Sequence, residues 1–311
     1  MNYDKIVHDK ELEDMHTIQE KIIQYWTNRA GSYSVENNEE LTGTSTVAWL
    51  NELTRHFPKK KDLKILDIGT GPGFMAILLS RAGYQVTGID CTEEMLKQAH
   101  ENARKYHLSI RFLKQPAEHL EFEDDSVDVI INRNLTWNLE NPILAYQEWY
   151  RVLKPSGKLI IFDANWYHYL FSEELRKAYE EDRQNVKRAH LYDHNIGVNF
   201  DQMERIAEQL PMTLIDRPSW DKEELKKIGF QDIQIEYGHK RRRLITLLHL
   251  CLKSSLRNRC GMIMTMEKIS SLQNAKIKNW TLLHKKKHRD ETGLFLVEGE
   301  HLINEALAAN V

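Results

Sequence analysis

Residues Ile65 to Gly73 read Ile-Leu-Asp-Ile-Gly-Thr-Gly-Pro-Gly, an apolar run entering a turn with glycine at every second position. Gly69, Gly71 and Gly73 let the backbone approach a ligand closely, and the apolar helix that follows offers it unpaired N–H groups. Asp67 stands just before the first glycine, and a second apolar run ends at Asp90. A carboxylate at the tip of the second strand of an open α/β sheet is placed to accept hydrogen bonds from both hydroxyls of a ribose. The spacing Gly-x-Gly-x-Gly differs from the Gly-x-Gly-x-x-Gly of dinucleotide folds, and the turn lacks the Gly-Lys-Ser/Thr ending of a phosphate-binding loop. The alternative is a turn whose glycines serve packing alone.

The elements that must position these residues alternate in type, the pattern of a parallel sheet covered on both faces. Strands are expected at 63–68, 85–90, 110–114, 127–132 and 157–163, with helices at 73–82, 92–106 and 142–153. Asn141 followed by Pro142 is a cap and first-turn proline, and Pro155-Ser156-Gly157 reads as the turn into the fifth strand. Before the sheet, residues 1–33 look helical, with Ile18, Ile22, Tyr25, Trp26 and Arg29 near one face, and a second helix spans 44–57. Residues 164–218 interrupt the alternation with a charged helix at 172–189, a loop at 190–200 and a short helix at 201–209. An insertion after the fifth strand lies at the carboxyl edge of the sheet, which makes it a substrate cap. Asp221 with Glu224 reads as a capping-box-like start for a last helix that ends at Gly229. A sixth strand is expected at 230–237 and a seventh at 244–252.

The 311 residues suggest one large domain or two smaller ones. No run of about eighteen apolar residues appears, so no membrane span is expected, and the polar, acidic first twenty residues are unlike a signal peptide. Cys91, Cys251 and Cys260 form neither a metal-spaced cluster nor a disulfide framework, which fits a reducing cytoplasm. The net charge of −3 hides a split: −11 over residues 1–239, +12 over 240–290 and −4 over 291–311. Such asymmetry marks a boundary and a different partner for the second part.

With Asp67, the glycine turn and Asp90 in a strand–turn–helix–strand context, the chain resembles the class I S-adenosylmethionine (SAM)-dependent methyltransferases over about residues 20–237. The resemblance implies an α/β, Rossmann-like, seven-stranded sheet with helices on both faces, an N-terminal helical lid and a helical cap after the fifth strand. It divides the chain into a lid at 1–58, a SAM-binding domain at 59–255 with its cap at 164–218, and a basic appendage at 256–311. Tyr25-Trp26-x-x-Arg29-Ala30-x-x-Tyr33 looks like the lid of one branch of the family; a core-facing amphipathic helix is the alternative. Gln115-Pro116-Ala117-Glu118 matches the stretch beside adenine, with Pro116 where an Asp is usual. Asn132 to Trp137 follows the fourth strand and faces the expected transfer site. Glu148 to Gly157 resembles the signature before the fifth strand, with Ser156 where glycine is usual. Cofactor contacts are thereby implied for Tyr25, Arg29, Tyr33, Asp67, Gly69, Thr70, Gly71, Gly73, Asp90, Cys91, Met95, Pro116, Ala117, Glu118, Asn132 and Asn134.

Methyl transfer from a sulfonium is an in-line displacement, so the protein mainly aligns the acceptor and excludes water. A base is needed only if the acceptor must lose a proton. Candidate catalytic residues are Asn134, His168 and Asp163, with Tyr167, His190 and His194 behind them; each is also readable as a packing or surface residue, and Asp163 as a turn cap. Trp166 to Phe171 could line an aromatic acceptor pocket or simply open an amphipathic helix. No Asn-Pro-Pro-Tyr follows the fourth strand, which weighs against nucleobase methylation.

Ile269 to Lys278 and Gly293 to Leu302 resemble the start of SpoU-type RNA ribose methyltransferases, where this segment opens a small substrate-binding domain. Residues 285–289 could touch RNA phosphates or form a solvated face. A fusion or read-through of two reading frames, with Met266 an original start, is the expectation for this junction. The reading overall is a cytoplasmic methyltransferase acting on a small molecule, since an acidic core disfavours a phosphate backbone. Its rivals are an RNA methyltransferase fed by the basic segment, and a SAM- or RNA-binding protein without turnover.

Overall fold

Five strands run parallel in the order β3-β2-β1-β4-β5: β1 (Lys64–Ile68), β2 (Gln85–Asp90), β3 (Arg111–Lys114), β4 (Val127–Arg133) and β5 (Leu153–Asp163). The computed structural model describes residues 17–43, 45–60, 62–188, 200–215, 217–237 and 246–251. The chain divides into two units, Met1–Ser255 and Leu256–Val311, and all described residues lie in the first. The expectations for 1–16, for the loop with His190 and His194, and for the basic appendage fall outside them.

The central strands are apolar almost without interruption because both faces are covered. On one face Ile65, Val129, Ile131, Ile160 and Phe162 pack against α3 (Phe74–Arg81), whose residues 74–79 are all buried. On the other, Leu66, Ile68, Ile130, Leu159 and Ile161 meet Tyr146 and Trp149 of α5 (Pro142–Val152) and Leu225 of α9 (Ser219–Ile228). The amphipathic α4 (Glu93–Lys105) connects β2 to β3. Connections leave β1 and β4 toward opposite edges of the sheet, so a crevice opens between their carboxyl ends, where ligands of open α/β sheets bind. Beyond β5 the order continues with β7 (Thr246–Cys251) and β6 (Gln231–Tyr237), paired antiparallel.

Helix α1 (Ile18–Thr42) begins at a capping box in which Thr17 and Glu20 bond each other's backbone N–H groups. Its helical stretch therefore starts at residue 18 within the described chain and runs nine residues past the expected end at 33. α2 (Ser45–Thr54) follows. The segment after β5 holds a short 3-10 helix (His168–Phe171), α6 (Glu173–Arg188), α7 (Phe200–Ala207) and the single turn α8 (Pro211–Leu214). Ile22 and Tyr25 of α1 pack with Trp137 and with Met203, Ile206 and Leu210 of this insertion.

Two local expectations change and one holds. The 155–157 turn lies inside β5, which begins at Leu153 directly after α5; Ser156 there adopts φ +70°, which explains why glycine suits the position. A Cβ on Gly157 would stand 2.9 Å from both Leu153 Cδ2 and the Lys154 carbonyl oxygen. Asp221 does not cap α9, because its carboxylate is buried against Arg217 and Tyr146 instead, and the helix starts at Ser219 after Pro218. The Asn141 cap forms as expected, with its side chain accepting from Leu144 N at 3.1 Å.

Candidate functional site

Gly69, Gly71 and Gly73 have φ of +67°, +52° and +91°, so all three bend through the left-handed region that a side chain disfavours. A Cβ on Gly69 would lie 2.8 Å from Leu135 Cδ1, while one on Gly71 would point at Tyr33 Cε1, 3.7 Å away, where the cleft lies. Asp67 holds the turn from beneath. Its Oδ2 accepts from Thr70 Oγ1 at 2.6 Å and from the Ala76 amide of α3 at 3.1 Å. Burial pushes this carboxyl up to about 7, against the pull of those hydrogen bonds.

Asp90 closes the other side. Its Oδ2 accepts from Gly71 N at 3.0 Å and its Oδ1 from Thr92 N at 2.8 Å, leaving each oxygen a further lone pair. The group lines the cleft, half-buried, and burial raises its pKa. A vicinal diol fits these remaining acceptor positions. Beyond Asp90, the cleft wall is built by Cys91, Met95, Pro116, Ala117, Leu135 and Leu139, a mostly apolar slot. The Ala117 carbonyl oxygen is engaged by Trp149 Nε1 at 2.9 Å. Glu118 also faces the slot, its carboxyl raised by burial.

The roof is α1. Trp26 and Tyr33 line the cleft with ring centroids 5.5 Å apart, and Gln19 and Ile22 join them. Arg133, at the end of β4, also lines it. Its guanidinium makes a bidentate pair with Glu40 of α1 at 2.9 and 3.0 Å and lies 4.6 and 4.7 Å from the Trp49 and Phe74 ring centroids. That pair ties the helix over the sheet edge. Asn134 lines the cleft at φ +55°; its N–H donates to Phe162 O at 2.8 Å and its carbonyl oxygen accepts from Trp137 Nε1 at 2.9 Å. A non-glycine residue held in this region by bonds on both sides is a strained, over-determined position, of a kind found at functional sites.

Of the expected cofactor contacts, Tyr33, Gly69, Gly71, Asp90, Cys91, Met95, Pro116, Ala117, Glu118 and Asn134 line this one cleft. Asp67, Thr70 and Gly73 build the turn from behind: Thr70 is bonded to Asp67, and a Cβ on Gly73 would meet Ile77 and Ala99. Tyr25 is buried against the insertion that follows β5, and Arg29 pairs with Glu36 at 2.7 Å. Asn132 is fully buried below the cleft, and neither polar atom of its carboxamide has a partner.

Asp163 is 1% exposed and engaged on both oxygens: Oδ2 by Thr136 Oγ1, Trp137 N and Arg217, Oδ1 by Ala164 N and Trp166 Nε1. Arg217 also reaches Asp221 at 2.7 and 3.0 Å, and Asp221 accepts from the Tyr146 hydroxyl. This ionic network fastens the insertion to the sheet. His168 lies outside the cleft lining; its Nδ1 is buried without a partner. Arg133 and Leu135 line the cleft from the stretch expected to face the transfer site, whereas the sequence reading missed Gln19, Ile22, Ile68, Thr92, Asn138, Leu139 and Glu140 as cleft residues. The last three could have been found, because the stretch between β4 and the Asn141 cap has to cross the carboxyl edge. Among the described residues no cluster of His, Cys, Asp and Glu could hold a metal ion, and no helix is long and apolar enough to cross a membrane.

Residues 66–161 match the family model described as a methyltransferase domain, and residues 274–311 match that of an MRM3-like substrate binding domain. An uncharacterized methyltransferase, YbaJ of Bacillus subtilis, is 36% identical over 122 residues, 39% of this chain and 48% of that protein. The ubiquinone biosynthesis O-methyltransferase of Rickettsia bellii is 28% identical over 146 residues, 47% of this chain and 60% of that protein. The chain thus spans about half the length of the curated relatives it matches. Among solved structures, a SAM-dependent methyltransferase of Methanococcus maripaludis described as putative superposes with a TM-score of 0.53 at 18% identity, covering 74% of this chain and 94% of that one. Phosphoethanolamine N-methyltransferase 2 of Haemonchus contortus, solved with phosphomonomethylethanolamine and S-adenosylhomocysteine, gives 0.52 at 18% identity, covering 77% and 60%. Those two likenesses show the fold.

Proposed function

We propose that this chain, which carries a class I SAM-dependent methyltransferase domain, transfers the methyl group of SAM to a small-molecule acceptor in the cytoplasm. The observation that carries the reading is the placement of Asp90 and the glycine turn in one apolar-walled cleft beneath Trp26 and Tyr33. The sheet is read as the seven-stranded one of that class, with α1 as its lid and residues 164–218 as its acceptor cap.

SAM supplies an activated methyl carbon when bound. The chain's own residues hold and orient it. Asp90 would accept from the ribose hydroxyls, and Gly71 would admit the methionine portion where a Cβ would stand, while Gly69 leaves room for Leu135 against the turn. Met95, Pro116, Leu135 and Leu139 would enclose the base, and Trp26 and Tyr33 would keep water out. Asn134 lines the same cleft and would stand close to the bound cofactor. The relatives' names point the same way, since the Rickettsia protein is named for an O-methylation in ubiquinone biosynthesis and the Haemonchus protein for an N-methylation of phosphoethanolamine.

The test is transfer of labelled methyl from SAM into a cell extract. Label in the low-mass fraction supports the reading, and label in RNA overturns it. One observation favours RNA as a second reading: the match of residues 274–311 to a substrate binding domain, which overlaps the segment 240–290 of net charge +12. RNA binding by the full chain that weakens steeply with salt would carry it, and no binding at low salt removes it.

A further inference from the structure

Asn102 is fully buried inside α4, where a carboxamide is costly unless its hydrogen bonds are met. They are met. Its Nδ2 donates to Ser34 Oγ of α1 at 3.0 Å and to the Pro72 carbonyl oxygen of the glycine turn at 3.0 Å. Its Oδ1 accepts from Asn38 Nδ2 of α1 at 2.8 Å and from Lys105 Nζ at 2.9 Å. The neighbours fix which end is which, since a carbonyl only accepts and an ammonium only donates. One side chain thus joins α4, the glycine turn and α1. The residues it grips stand directly behind the cleft wall. Pro72 lies between Gly71 and Gly73, and Gly71 N is the amide that meets Asp90. Ser34 follows Tyr33, whose Cε1 lies 3.7 Å from the place of a Cβ on Gly71. On the same face of α4, Met95 lines the cleft and Ala99 Cβ backs Gly73, 3.3 Å from the place of a Cβ there. Other anchors of α1 do not reach the turn: Ile22 and Tyr25 pack on the insertion after β5, and Glu40 holds Arg133.

We infer that Asn102 is a positioning residue of the cofactor site: its carboxamide locks α1 to the glycine turn, and so fixes Tyr33 over Gly71 at the end of the cleft that takes the methionine portion of SAM. This rests on the methyltransferase reading and deepens it. Asn102 is not among the residues that line the cleft, so it acts through Pro72 and Ser34 and not by touching SAM. The ribose end depends on Asp90, which keeps Thr92 N as an anchor independent of Asn102. Breaking the lock should therefore loosen the grip on the methionine portion and largely spare the nucleoside. Two variants break it at different places. Asn102→Asp keeps an oxygen for Asn38 and Lys105, with its charge facing the Lys105 ammonium, but it can no longer donate to Pro72. Ser34→Ala removes an arm on α1 and leaves the bond to Pro72 in place.

The experiment uses the full chain and both variants, and its first arm needs no ligand. Hydrogen exchange read by mass spectrometry over residues 69–75 should be about threefold faster or more in Ser34→Ala, although the substitution lies on α1. Unchanged exchange at the turn overturns the lock. The second arm is calorimetric titration of SAM and of adenosine, which lacks the methionine portion. In each variant the preference for SAM over adenosine should shrink by about threefold or more, while the affinity for adenosine moves by less than about twofold. A purely structural role would weaken both ligands alike or neither, and either result overturns the positioning role. A folded wild-type chain that binds no SAM counts against the methyltransferase reading, and the exchange arm then decides the lock by itself.

Discussion

Replacing Asp67 by asparagine isolates the cost of keeping a carboxylate under the glycine turn. The side chain is 2% exposed, and its acceptor work is done by one oxygen, which serves Thr70 Oγ1 and Ala76 N. In the unfolded chain an aspartate titrates near ~3.9, whereas burial carries this one to about 7 in the fold. The folded state holds the proton more tightly between those values. Stability attached to this group is therefore fully present below about pH 4, falls as pH rises through the window, and levels off above about pH 7. The gap sets a ceiling of about 4 kcal/mol. Asparagine keeps the shape and an oxygen able to accept both bonds, and carries no charge to desolvate. Asp67→Asn should therefore be more stable than the wild type at pH 8, by about 1–3 kcal/mol, with the difference vanishing or reversing near pH 5. Urea unfolding followed by tryptophan fluorescence at both pH values, without SAM, measures this. An asparagine variant that is less stable at pH 8, by the same amount at pH 5, would show that the ionised carboxylate stabilises the turn and that the reasoning fails.

Gly69→Ala should abolish measurable SAM binding and lower stability by about 1–3 kcal/mol, because the new Cβ meets Leu135 at 2.8 Å and φ is +67°; calorimetry and thermal melting read the two effects. Trp26→Ala removes half of the aromatic roof, and should weaken SAM binding about tenfold while the midpoint of urea unfolding changes little. Arg217→Met strands the Asp163 and Asp221 carboxylates, which are 1% and 0% exposed, and should cost about 3–5 kcal/mol in urea unfolding at pH 7.5. A loss below about 1 kcal/mol would mean that the network does not fasten the insertion.

The parts legible in the sequence were those encoded over short distances. The glycine turn, the acid that ends β2, the Asn141 cap and the alternation of strands with helices each depend on residues near one another in the chain. Their types suffice because the left-handed turn, the strand tip and the first helical turn accept few alternatives. What escaped was set by partners far apart. Glu40 and Arg133 meet across 93 residues, and Asp163 and Arg217 across 54, and nothing in either segment alone announces the other. The capping box assigned to Asp221 failed for the same reason: an acid near a helix start caps it only if no buried cation claims it first. The Tyr25 to Tyr33 stretch reads as one helix in the sequence, but which of its side chains faces the cleft depends on how α1 is rotated. That rotation is set by its packing on Trp137 and α7, and it turns Trp26 and Tyr33 inward while Tyr25 packs against the insertion after β5.

The most direct test of the account is calorimetric titration of SAM into the full chain and into its Asp90→Asn variant. Asparagine is preferred to alanine because alanine would also free the Gly71 and Thr92 amides and loosen the turn itself. The account predicts one SAM bound per chain, weakened by about 1.4 kcal/mol or more, tenfold in affinity, in the variant. A folded wild-type chain that gives no binding heat, or a variant that binds SAM as tightly as the wild type, would contradict it.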